Sequence, residues 1–153
     1  MENTKAQIDV EKEDRFSVFE ISGVQFGLNV LYIKEVIKPT HITRLPNAPP
    51  YMPGIINLRG KIISVVDLAL FLGINQTEHN TPEGLIVTES ESSRFAVFHD
   101  RMHEFLKIKK SDLADSSEKI LDSILPFLYG IFKDEVILLD GAKLLSSLNF
   151  VKL

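Results

Sequence analysis

The sequence predicts a mainly β fold, two small β-barrels packed into one unit with short helices at the ends. Three observations predict it. Short β-rich runs recur at regular spacing along the 153 residues, separated by turn signals. The clearest helical segments come only where strand runs end. A partial duplication runs through the chain, in which Val65-Val66-Asp67-Leu68-Ala69-Leu70-Phe71-Leu72 parallels Leu138-Leu139-Asp140-Gly141-Ala142-Lys143-Leu144-Leu145. Each copy follows an apolar strand led by a glycine, Gly54 or Gly130.

The elements follow in order. Residues 1–14 carry seven charges and no apolar run, which predicts a mobile tail that is neither a signal peptide nor an anchor. Arg15 to Ser22 reads as a strand, Gly23-Val24-Gln25 as a turn, and Phe26 to Val30 as the returning strand. Leu31 to Ile37 places apolar residues at 33, 36 and 37 with charges at 34 and 35, a spacing that fits one helical turn or a bent strand. Pro39 ends it. Thr40 to Leu45 reads as a strand. Residues Pro46 to Gly54 form a loop, because four prolines there remove four amide donors. Ile55 to Leu58 and Lys61 to Val66 flank Arg59-Gly60 as a hairpin. Asp67 then caps a helix from Leu68 to Leu72 that Gly73 stops.

Asn75 to Glu83 is polar and is the candidate linker. Leu85 to Thr88 and Phe95 to Phe98 predict a hairpin around Ser90 to Ser93, with a further strand over His103 to Ile108. Ser111 to Ile124 reads as a capped helical turn and loop. Phe127 to Phe132 and Val136 to Leu139 form the last hairpin, and Asp140 leads a helix through Leu148. The expected division is a tail to residue 14, one domain over 15–149, and a tail over 150–153. Within the domain, one lobe takes about 15–74 plus the C-terminal helix and the other about 83–140.

Composition narrows the function. A net charge of −4 and a pI near 5.6 leave no general cationic field to displace counterions from phosphates, so nucleic-acid binding is not expected. The run Lys107, Lys109, Lys110 is too short to make a stripe. The chain has no cysteine, which removes a disulfide framework, a thiolate nucleophile and thiolate-ligated zinc. No phosphate-cradling glycine loop or nucleophile elbow is present. His99 and His103 stand four apart, but in a strand that is about 13 Å, so solvated or partner-facing histidines are expected rather than a metal site. Asp67 and Asp140 read as helix caps rather than a carboxylate dyad. The expectation is a cytoplasmic, non-catalytic protein without cofactor or membrane insertion. The rival from another class is a small-barrel nucleic-acid-binding protein, disfavoured by the acidic charge and the lack of Trp.

One hairpin stands out, Gly54-Ile-Ile-Asn-Leu-Arg-Gly-Lys-Ile-Ile-Ser-Val-Val-Asp67. Arg59 at its tip is either merely solvated or, beside apolar Leu58, an anchor whose planar fork grips a partner's carboxylate or carbonyl.

This hairpin, with Phe16-x-Val-Phe, Phe26-Gly-Leu-Asn-Val, Ile33-x-Glu35-Val36, Ile42-Thr-Arg-Leu-Pro46 and Pro49, resembles the CheW domain in order and spacing. Phe95-Ala-Val-Phe-x-Asp100, Leu106-x-Ile108 and Leu138-Leu-Asp140 extend the resemblance to residues 15–149, more loosely in the second half. It implies two five-stranded barrels around a hydrophobic junction. It also implies a scaffold that couples the cytoplasmic tip of methyl-accepting chemoreceptors to the regulatory domain of the histidine kinase CheA, with the free protein a monomer. The receptor contact falls by resemblance on Ile33, Glu35, Asn57, Leu58 and Arg59, with Met102 and Phe105 across a groove, and kinase coupling on Gly54. The sequence departs from the family at His99-Asp100-Arg101-Met102, at Ser64, often a proline, and in the short hairpin Lys133-Asp134-Glu135, which lacks the usual glycine.

Overall fold

The computed structural model describes residues 13–74, 82–91, 93–115, 118 and 120–148. The expected tails and most of the Asn75–Glu83 linker lie outside the described residues, apart from Glu13 and Asp14.

Twelve strands form two six-stranded sheets. The first joins β1 (Glu13–Ile21), β2 (Val24–Asn29), β9 (Arg101–Lys109), β10 (Leu113–Ala114), β11 (Leu128–Phe132) and β12 (Val136–Leu139) in the order β10-β11-β12-β2-β1-β9. The second joins β3 (Ile33–Ile37), β4 (Thr43–Arg44), β5 (Gly54–Leu58), β6 (Lys61–Val66), β7 (Gly84–Glu89) and β8 (Arg94–His99) in the order β4-β5-β6-β8-β7-β3. The sixth strand of each, beyond the five expected, is the two-residue β10 or β4.

Read in this way the two sheets have one plan. In each, a hairpin (β11–β12 or β5–β6) lies parallel to the second strand of another hairpin (β1–β2 or β7–β8). The helices α1 (Leu68–Phe71) and α2 (Gly141–Leu148) leave from equivalent strands, β6 and β12. The duplicated Asp67 and Asp140 cap them, accepting hydrogen bonds from the amides of Leu70 (3.2 Å) and Lys143 (3.1 Å).

The lobes divide the chain differently from the expected split. After β1–β2 the chain crosses over, so β3 pairs with β7 of the second sheet, and after β7–β8 it crosses back, so β9 pairs with β1 of the first. β9 and β3 each form one edge of their sheets. Residues 33–99 hold the second sheet, and the chain's two ends combine in the first.

Two-residue turns with both residues at positive φ match the right-handed twist of paired strands. Ser22 (φ 52°) and Gly23 (φ 81°) close β1–β2, so Val24 and Gln25, expected in the turn, belong to β2. Arg59 (φ 51°) and Gly60 (φ 83°) close β5–β6, and the Asn57 carboxamide oxygen takes the Gly60 amide proton at 2.9 Å. The ambiguous 31–37 segment is both things in succession, a single 3-10 turn over Val30–Tyr32 and then β3. The expected strand over 40–45 shrinks to β4, and the 111–124 loop contains β10.

Three buried clusters hold the molecule together. Phe16, Val18, Ile108, Val136 and Leu138 fill the first sheet's own interior, and Ile56, Ile63, Val65, Leu85, Val87 and Ala96 fill the second's. The largest cluster takes residues from both sheets and both helices, among them Phe19, Phe26, Val66, Ile86, Val97, Leu68 and Leu145, and is the hydrophobic junction. β1 serves two clusters because its faces alternate: Phe16 and Val18 point inward, Phe19 and Ile21 into the junction.

The candidate groove and its rim

The edge strands β3 and β9 shape the candidate surface, and each carries a bulge. In β9, Phe105 lies opposite Ser17 and Met102 opposite Phe19, three residues against two. In β3, the register shifts between Ile33 and Glu35 against Thr88 and Val87. A bulge reverses the strand's alternation, so residues three apart come to share a face. Met102 and Phe105 therefore look into the same space as Ile33 and Val36. That space is an apolar cleft of about 640 Å³ lined by these four with Val30, and by Ser17, Arg15 and Lys107. Its floor continues into the junction, since Ile33 and Met102 also pack against that cluster. Phe105 is 69% exposed and Val36 47%, an unusual amount of uncovered apolar side chain for one cleft.

Within the second sheet, the β5–β6 tip reaches back to β3. The Arg59 guanidinium donates two parallel hydrogen bonds to the Glu35 carboxylate, at 2.8 and 2.9 Å. That fork holds the Glu35 carboxyl below its usual range, chiefly through the hydrogen bonds, and pushes the guanidinium's own pKa further up. The Arg59 side chain remains 71% exposed. It is neither merely solvated nor tucked into its own sheet: it is oriented, with most of its surface open.

Of the expected site residues, the structure brings Ile33, Met102 and Phe105 together in the cleft, and joins Glu35 to Arg59, neither of which lines it. Asn57 staples the turn. Leu58 is half-buried against the second sheet's interior rather than presented with Arg59. Gly54 is buried, and a Cβ placed on it would stand 2.2 Å from the Thr43 carbonyl oxygen, so it is a packing position under β4 and not a contact surface. Val30, Val36, Ser17, Arg15 and Lys107 escaped the sequence reading. Val36 carried a signal in its three-residue spacing from Ile33, whereas Arg15 and Lys107 meet only through the β1–β9 register.

The histidines correct another expectation. His99 is buried in β8, with no hydrogen-bond partner for Nδ1. His103 lies in β9, in the other sheet, with Nε2 3.2 Å from a Glu20 carboxylate oxygen. Between them Asp100 accepts the Ser22 amide at 2.7 Å and pins the β1–β2 turn. Among the described residues no group of three or more potential ligands could hold a metal.

The CheW-like domain model matches residues 15–149. The chain belongs to the CheW family. Curated CheW relatives agree: the chemotaxis protein CheW of Helicobacter pylori is 31% identical over 83% of this chain and 76% of its own length. That of Thermotoga maritima is 34% identical over 75% of this chain and 77% of its own length. Among solved structures, the scaffolding protein TtCheW from Thermoanaerobacter tengcongensis superposes with a TM-score of 0.72 at 29% identity, covering 86% of each chain. This member of the CheW family is a chemotaxis coupling adaptor with no catalytic chemistry, of the family that couples chemoreceptors to CheA. The matches give no support to the nucleic-acid-binding alternative. Among the described residues no helix is long and apolar enough to cross a membrane.

Proposed function

We propose that the cleft between β3 and β9 receives the cytoplasmic hairpin tip of a chemoreceptor, and that this chain thereby links the tip to the regulatory domain of CheA. Ile33, Met102 and Phe105 supply the apolar seat, with Glu35 and Arg59 as the polar edge. Asn57 and Leu58 act one step back, fixing the turn that presents the guanidinium. Helix-in-groove recognition suits such a site, because an amphipathic helix covers apolar surface the free protein leaves wet. Gly54 contributes to kinase coupling by letting β4 lie close on β5. The protein acts in the cytoplasm, as a monomer when free, without cofactor. The observation that carries this reading is the exposed Phe105 in an apolar cleft, together with an oriented, mostly open Arg59.

Pull-down of receptor and CheA by wild type, Arg59→Glu and Ile33→Ser tests it. Wild type retains the partners; charge reversal at an interface anchor weakens receptor capture by about 2 kcal/mol or more. Ile33→Ser does the same while circular dichroism stays native. Undiminished capture by both variants, or global unfolding by Ile33→Ser, would contradict the assignment.

A further inference from the structure

The cleft has two unlike walls. On one side β3 offers Ile33 and Val36; on the other, Arg15 of β1 and Lys107 of β9 stand directly opposite each other in the antiparallel register. Both are exposed, and neither has an ion-pair partner among the described residues. Two acids of the flanking strands are turned elsewhere. Glu35 is held by Arg59, and Glu104 lines the polar cleft on the opposite side of β9. The cationic run 107–110 is likewise divided by the fold. Lys109 faces Glu13 across the strand pair, and Lys110 is spent on Tyr129, with its ammonium 3.7 Å from the ring centroid and bonded to the carbonyl at 3.1 Å. Among the described residues Arg15 and Lys107 are thus a pair of cations without ion-pair partners along one edge of an apolar seat, in a protein whose net charge is −4.

We propose that this wall selects the groove's occupant: a protein helix with an apolar stripe and carboxylates along the one flank that lies against β1 and β9. The inference rests on the groove being the receptor site and adds which face of the helix turns which way. The net charge opposes a carboxylate-bearing helix, and this wall attracts it locally. Complementarity of that kind fixes orientation and suppresses reversed docking. Cations on the β1–β9 wall facing the apolar β3 wall give the groove a polarity that a purely apolar trough lacks.

The test uses the full chain and a purified cytoplasmic hairpin fragment of a chemoreceptor from the same organism. The fragment is prepared as the natural sequence and with the carboxylates flanking its apolar stripe replaced by lysine. Affinity is measured at low and high salt for wild type, the double variant Arg15→Glu/Lys107→Glu, and Phe105→Ala. The wall predicts that the double variant binds the natural fragment about tenfold more weakly. It also predicts binding that weakens with salt in wild type, where screening operates over ~10 Å, and recovery when the double variant meets the lysine fragment. If wild type binds, Phe105→Ala weakens it, and charge reversal changes nothing, the wall is refuted while the groove stands. A fragment that binds without such carboxylates refutes it equally. If wild type shows no binding, or Phe105→Ala has no effect, the groove reading fails and the wall with it. Thermal melts of both variants confirm folding, which substitutions at exposed positions should preserve.

Discussion

Replacing Gly54 by alanine asks whether kinase coupling at this position is a matter of packing. The added methyl would sit 2.2 Å from the Thr43 oxygen, 2.9 Å from its carbonyl carbon and 2.7 Å from Ile42 Cγ2. Two of these three atoms are backbone, so no rotamer change relieves the overlap; β4 itself must move off β5. That movement strains the pairing of Thr43 with Ile55 and Arg44 with Gly54, and opens the edge of the cluster that Ile42 helps to cover. Overpacking of this kind costs about 1–3 kcal/mol. For a domain of this length that corresponds to a fall in Tm of roughly 2–12 °C, at 2–4 °C per kcal/mol. The cleft is lined by other strands, so receptor capture should survive while kinase activation in a reconstituted receptor–CheA mixture falls. Differential scanning calorimetry and that kinase assay, run on one preparation, measure both. An unchanged Tm with lost activation would refute the packing argument and make Gly54 a direct contact. A lowered Tm with full activation would remove it from coupling.

Two further outcomes follow from the interior. Burial holds His99 neutral by pushing its imidazole pKa below the ordinary value. The unfolded chain therefore binds more protons near its ordinary pKa of about 6.5, so stability is complete above that pH and falls as pH drops toward the lower folded pKa. Urea midpoints should decline from pH 7.5 to 5.5 in wild type and decline less in His99→Leu; parallel profiles would show that His99 does not titrate against folding. Phe19, buried in the junction between the sheets, should cost about 3–5 kcal/mol as Phe19→Ala. Because the junction joins both sheets, the melt should remain a single transition at lower temperature; two separated transitions would show the lobes to be independent.

What the sequence revealed and what it hid follow the range of the interactions involved. Hairpins and caps are local: Arg59-Gly60 between two apolar runs, and Asp67 and Asp140 before apolar helices, determine their structures within a few residues. The duplication pointed to two like units and the sheets share one plan, but the pairing of β9 with β1 and β3 with β7 could not be read, because strand pairing is a long-range choice that leaves no local mark. The same pairings shape the candidate site. The three-residue spacings Ile33–Val36 and Met102–Phe105 look helical in a strand context and make sense only once a bulge against the partner strand puts both members on one face. Resemblance named residues without separating those exposed in the cleft, such as Phe105, from those packed within the sheet, such as Gly54 and Leu58.

The central claim is that the cleft between the edge strands β3 and β9 is where the partner helix lies. Methyl and aromatic NMR of the full chain, titrated with a chemoreceptor hairpin fragment, tests it most directly. The account predicts shift changes concentrated on Ile33, Val36, Met102 and Phe105, with Leu70 and Leu121, also exposed but outside the cleft, unmoved. Changes at Leu70 and Leu121 with the four cleft residues silent would contradict it.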